Sequence, residues 1–111
     1  DVNQLENYAW YDKNSESKTH PVSEKLPNSW GLYDMHGNVW EWCEDVWHDN
    51  YNGAPTDGTA SLKDGEQNKR ALRGGSWFII DFNCRSANRS SVDAVKRYGT
   101  VGFRVVVSFS V

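Results

Sequence analysis

Six Trp, five Tyr and four Phe sit in a 111-residue chain that is only 38% hydrophobic, and that imbalance constrains the fold more than any other feature. Much of the buried area must come from large rings that carry a polar handle. Short strands and irregular loops pinned by indoles fit that balance, and a helical bundle does not. The length allows one small domain or a fragment of one, with no room for a second core. Mean hydropathy is -0.75, and no apolar run approaches the ~18 residues of a membrane span, so no membrane insertion by this chain is expected. A net charge of -3 lacks the Lys/Arg excess that phosphate neutralisation needs, which sets nucleic acid aside.

Along the chain, Asn7 to Asp12 is a short aromatic segment of strand-like residues, followed by a polar loop from Lys13 to Thr19. His20-Pro21-Val22 is extended, because the residue before a proline is pushed out of the helical region. Pro27 to Gly31 is turn chemistry. Val39 to Val46, with Trp40 and Trp42, reads as a strand. Asp45 to Lys69 is a long polar connection. Ala71-Leu72-Arg73 enters a short strand, Gly74-Gly75 permits close backbone approach or positive φ, and Ser76-Trp77 resumes the strand. Val101 to Phe109 reads as a closing strand.

Chemistry-bearing residues are sparse. Cys43 and Cys84 form no CxxC pair, and no Cys/His cluster has zinc-ligand spacing. They are two buried thiols or, in an exported protein, one disulfide. His20, His36 and His48 lie in unrelated settings, and none sits beside a Ser or Cys in a way that marks an activated nucleophile. Asp1 to Glu6 show no signal peptide, so export or surface display would depend on a segment outside these residues.

The last third alternates between two kinds of segment. Arg73-Gly74-Gly75-Ser76-Trp77, Asn83 to Arg89 and Val101 to Val106 read as scaffold. Phe78-Ile79-Ile80-Asp81-Phe82, Ser90-Ser91-Val92, Val95-Lys96 and Tyr98-Gly99-Thr100 read as unconstrained. By periodicity alone, Phe78-Ile79-Ile80 is equally a buried strand.

The run Trp30-Gly31-Leu32-Tyr33-Asp34-Met35-His36-Gly37-Asn38-Val39-Trp40-Glu41-Trp42, then Arg73 to Trp77, Cys84-Arg85-Ser86-Ala87 and Gly102-Phe103-Arg104-Val105, resembles the formylglycine-generating enzyme family, or sulfatase-modifying factors. The resemblance implies an α+β, C-type lectin-like fold, irregular, with small antiparallel sheets and few helices. It makes residues 1–111 a single domain that looks like the C-terminal part of the family domain, with the fold either a trimmed version or one completed by an upstream half or a partner chain.

The family's enzymes bind copper and activate oxygen with a cysteine pair lying between the Gly-Gly-Ser-aromatic segment and the Cys-Arg-Ser-Ala segment. Here that interval, Phe78 to Asn83, holds no cysteine, and Cys84 matches a structural position. Without both thiolates the oxidase chemistry is not expected, and no iron-ligand set of the related sulfoxide synthases replaces it.

The chain is most similar to the family's non-catalytic branch, the variable proteins of diversity-generating retroelements. There, adenine randomisation turns AAC or AAT codons into NNC or NNT codons. Phe78, Ile79, Ile80, Asp81, Phe82, Ser90, Ser91, Val92, Val95, Tyr98, Gly99 and Thr100 are all reachable in that way; Lys96 is not, and is read as a fixed or differently encoded position. These residues lie within a variable region spanning 73–106. The implied function is non-catalytic binding of a protein or cell-surface ligand, with aromatic and aliphatic anchors and Asp81, Ser91 and Thr100 for polar orientation. The alternative is a sulfatase-modifying type oxidase, or an inactive diverged member.

The resemblance also implies calcium held by Asp34 and Glu41 through side chains and by Gly37 and Val39 through main-chain oxygens, a hard-oxygen set that suits the ion. Asp34 stands where the family more usually has Asn, which adds charge. The competing reading has Asp34 capping a turn and Glu41 paired with Arg73 or Arg104.

Overall fold

The computed structural model describes residues 4–80, 84–85 and 87–107. One short helix, α1 (Leu5–Tyr8), precedes four strands: β1 (Trp40–Trp47), β2 (Glu66–Arg73), β3 (Arg89–Asp93) and β4 (Val101–Gly102). They form one sheet in the order β3-β2-β1-β4. β1 and β3 flank β2 in antiparallel pairs, Trp42 opposite Leu72 and Leu72 opposite Ser90, whereas β4 runs parallel to β1 with Trp40 opposite Val101. An irregularity between Trp42 and Val46 shifts the β1–β2 register and accommodates the polar stretch Cys43-Glu44-Asp45.

The core is divided. Val46, Leu72, Ala71 and Trp40 are buried on the sheet, and a second cluster joins Ala9, Tyr11 and Cys84, with Leu5 and Ile79 packed against it. Asn7 to Asp12 is therefore not a strand. Its first residues close α1, and Trp10 makes a single parallel bridge to Gly37. β2 starts well before Ala71, shortening the polar connection to 48–65, because ladder pairing carries the exposed run Glu66-Gln67-Asn68 without any apolar period. Ser76-Trp77 does not resume a strand. Gly74 and Gly75, at φ 96° and 74°, turn the chain out of the sheet instead. β4 is only two residues long, and Phe103 to Val107 continue it without strand pairing.

Loops and sheet meet at Gly37 and Asn38. A Cβ on Gly37 would lie 2.1 Å from the Trp10 carbonyl oxygen, and its φ of 77° disfavours any other residue. That approach lets the Gly37 N–H donate to Gly74 O and the Asn38 N–H donate to Trp10 O, each at 2.6 Å. Asn38 is buried at φ 65° and uses every polar group. Its Oδ1 accepts from His20 N at 3.1 Å, its Nδ2 donates to His20 O at 3.0 Å, and its carbonyl accepts from Trp77 N at 2.7 Å. Ser15 Oγ donates to Trp77 O at 2.8 Å, closing the same knot. His20 stacks on Trp10 at 3.7 Å between centroids, and Lys25 Nζ lies 4.1 Å from the Trp10 ring centroid.

Asn38→Ala leaves both His20 backbone groups without their partners and places Ala at positive φ. A loss of about 3 kcal/mol is expected, read as a lower midpoint in urea with an unchanged slope.

Candidate ligand-binding face

The turn after Gly75 positions the first expected cluster. Phe78 N–H donates to Ser76 Oγ at 3.3 Å, and Ile79 N–H donates to Ser76 O at 3.2 Å. Trp77 turns back and donates from Nε1 to Gly99 O at 3.1 Å, while Phe78 packs edge-on against the Trp77 ring. The 78–80 and 98–100 segments are therefore neighbours. Phe78, Ile80, Val95 and Tyr98 are 69%, 51%, 87% and 50% exposed. Ile79 differs: it is half-buried against the Ala9–Tyr11–Cys84 cluster, and its carbonyl accepts from Asp12 N at 3.0 Å. Its side chain belongs to the scaffold, so the display reading is corrected at this position. Asp81 and Phe82 lie outside the described residues.

Ser90, Ser91 and Val92 are not loop residues. They lie in β3, half-buried, opposite Leu72, Ala71 and Arg70. Arg89 fixes the start of that strand. Its guanidinium lies 4.5 Å from the Trp47 ring and 4.6 Å from the Tyr51 ring, and it donates to His48 O. Val95, Tyr98, Gly99 and Thr100 belong to the connection between β3 and β4. Main-chain bonds hold it: Ala94 N to Asn68 O at 2.9 Å, Lys96 N to Asp93 O at 3.0 Å and Trp40 N to Thr100 O at 2.7 Å. Gly99 is exposed and Thr100 half-buried.

Asp34, Val39 and Glu41 line one groove beside β1, and the two carboxylates are engaged differently. Asp34 Oδ2 accepts from Ser23 N at 2.9 Å, whereas its Oδ1 is buried and without a hydrogen-bond partner. Glu41 is taken by Arg104, whose Nε and Nη2 engage both carboxylate oxygens and whose Nη2 also donates to the carbonyls of Tyr33 and Asp34 at 3.0 Å. The Arg104 guanidinium thus takes both Glu41 oxygens, the pairing that the competing reading named. Hydrogen bonding to Glu41 raises the Arg104 pKa further.

Cys43 and Cys84 are not joined by a disulfide. Cys84 is buried, and its carbonyl meets His36 Nδ1 at 2.6 Å. Burial pushes the Cys43 thiol above its ordinary pKa, and Asp45 and Glu41 add to this against the opposing Arg73. A raised thiol pKa lowers the thiolate fraction available for nucleophilic attack.

A sheet knotted to irregular loops, with apolar side chains exposed on two adjoining turns, defines an α+β domain of the C-type lectin kind. The sulfatase-modifying factor enzyme 1-like domain matches residues 2–109. The formylglycine-generating enzyme of Streptomyces coelicolor is 40% identical over 90 residues, which is 78% of this chain and 28% of that protein. Variable protein 1 of Treponema denticola is 39% identical with a TM-score of 0.76, over 91% of this chain and 36% of its own. PvdO from Pseudomonas aeruginosa is 39% identical with a TM-score of 0.82, over 89% of this chain and 38% of its own. The chain belongs to the sulfatase-modifying factor, or formylglycine-generating enzyme, family and spans little more than a third of these two solved relatives.

Two outcomes follow from the site. Calcium at about 5 mM, or its chelation, should leave the thermal midpoint of the wild-type chain unchanged, because binding to the folded state would have to raise it. At pH 8, iodoacetamide should modify Cys43 more slowly than a free thiol and spare Cys84 until the chain unfolds, as read by mass spectrometry.

Proposed function

We propose that this chain is a non-catalytic binding protein whose ligand face is diversified by a retroelement. The observation that carries the reading is the separation of roles in the last third. Phe78, Ile80, Val95 and Tyr98 project from turns whose geometry is fixed by main-chain bonds and by Trp77 and Asn38. Side chains at these positions can change without breaking any of those bonds. Exposed aromatic and aliphatic anchors on a rigid frame are the usual source of interface energy, and rings deliver it at low entropic cost. Likeness to a variable protein at 39% identity supports the same conclusion. The partner is a protein or cell-surface ligand that presents an apolar surface.

The oxidase reading draws on the 40% identity to a formylglycine-generating enzyme. It lacks the cysteine pair between Trp77 and Cys84. Copper-dependent oxygen consumption with a cysteine-containing peptide should be absent; turnover would establish the enzyme instead.

Sequencing the gene across one population tests the binding reading. Codons 78, 80, 95 and 98 should vary widely, codon 79 only among apolar residues, and codon 96 not at all. An adenine-bearing template copy and a reverse transcriptase should lie nearby. Uniform codons and no template would remove diversification as the mechanism. The triple change Phe78→Ala, Ile80→Ala and Tyr98→Ala should cost less than about 1 kcal/mol in stability, since none of the three is buried.

A further inference from the structure

Charge is divided sharply along this chain. Residues 1–68 hold 13 Asp or Glu against four Lys or Arg, whereas residues 69–111 hold eight Lys or Arg against two Asp. The basic part is the one that carries the turns of the ligand face. Four of its cations are engaged by the protein itself: Arg104 by Glu41, Lys69 by Glu66 at 3.5 Å, Arg73 by the Tyr51 hydroxyl and Arg89 by the Trp47 and Tyr51 rings. Lys96 and Arg97 are different. Both are exposed in the β3–β4 connection, and among the described residues neither side chain meets a carboxylate. Their main chain is pinned, with Lys96 N–H donating to Asp93 O at 3.0 Å and Val101 N–H donating to Tyr98 O at 3.2 Å. The two cations therefore stand at a set position between Val95, 87% exposed, and Tyr98, 50% exposed.

That arrangement limits what can dock. A partner that covers the apolar side chains of Val95 and Tyr98 also takes water from the ammonium and guanidinium between them, and a buried charge left without a counter-ion is strongly unfavourable. We infer that the partner of this face is an acidic segment of another protein, which sets Asp or Glu against Lys96 and Arg97 and an aromatic or aliphatic side chain against Val95 and Tyr98. The inference rests on the binding reading and specifies its partner. A sulfated polysaccharide matches the charge alone, since it brings no apolar surface to Phe78, Ile80 and Val95, all exposed. Lys96 adds a sequence argument: it lies outside the codon route that its neighbours share, so a cation persists within the face while the residues around it change. Charge then steers encounter and sets the class of partner, and the changeable side chains set which member is held.

The test selects peptides against the immobilised 111-residue chain from a random library displayed on phage, and measures the best of them, as synthetic peptides, by surface plasmon resonance. Selected sequences should join Asp or Glu to aromatic or aliphatic residues. Their association rate should fall at least about tenfold as ionic strength rises from about 0.05 to about 0.5 M, where screening shortens the reach of the two charges. Lys96→Gln with Arg97→Gln should weaken binding about tenfold and flatten the salt dependence, whereas Phe78→Ala with Tyr98→Ala should remove binding at every salt concentration. All four side chains are exposed, so both variants should keep the wild-type thermal midpoint. Neutral or basic peptides whose binding is lost only in the Phe78/Tyr98 variant overturn the acidic partner and leave the binding face standing. Acidic peptides lost only in the Lys96/Arg97 variant overturn the joint site, as does a library that yields no binder. Heparin bound in preference to every selected peptide overturns the choice of a protein segment. A salt-sensitive homodimer dispersed by the Lys96/Arg97 variant overturns a foreign partner in favour of a second copy.

Discussion

The loops around Trp10, His20 and Trp77 meet the start of the sheet at one buried residue, Asn38. Asn38 receives Trp10, His20 and Trp77 on four hydrogen bonds, and no other residue type offers an acceptor and a donor so close to a backbone at positive φ. Gly37 makes the approach physically possible, since any Cβ there would displace the Trp10 carbonyl. A chain poor in aliphatic residues thus substitutes a satisfied polar knot for the packing that a larger core would supply. The dependence is steep, because an unmade hydrogen bond in a dry site costs more than a made one contributes.

That knot explains how variable and invariant roles coexist within one short stretch. The bonds that fix the display turns come from backbone N–H and C=O groups, from Ser76 and from the Trp77 indole. None comes from the side chains of Phe78, Ile80 or Tyr98. The β3–β4 connection is held in the same way, by main-chain bonds from Ala94 N to Asn68 O and from Trp40 N to Thr100 O.

Much of this was legible in the residues themselves. The aromatic run at 39–46 gave β1 to within a residue, and Gly74-Gly75 does take positive φ. Misreadings arose where tertiary pairing overrode local pattern. Glu66 to Arg70 has no apolar period yet forms strand, because Lys69 and Arg70 find partners on β3. Ser90 to Val92 looked free for the same reason. Ile79 was indistinguishable from Phe78 and Ile80, since only the meeting of the 9–11 segment with Cys84 decides which of the three is covered. The role of Asn38 left one trace, an Asn directly after a Gly in the densest motif, which signals positive φ but not the three partners it gathers.

Arg104 shows how one motif can suit two kinds of cation. A carboxylate at 41, a second at 34 and nearby turn carbonyls are equally good surroundings for a divalent ion and for a guanidinium, because both are cations seeking oxygens. The guanidinium has an advantage here: it arrives on the chain, directly after β4, at an effective concentration no dissolved ion matches. Its planar fork takes both Glu41 oxygens and still reaches two carbonyls. Through it, a strand of two residues is held to β1 and to the 33–34 turn far more firmly than its ladder alone allows. The display connection is thereby anchored at its second end, and Phe103 and Val105, flanking the arginine, are left facing outward at the edge of the sheet.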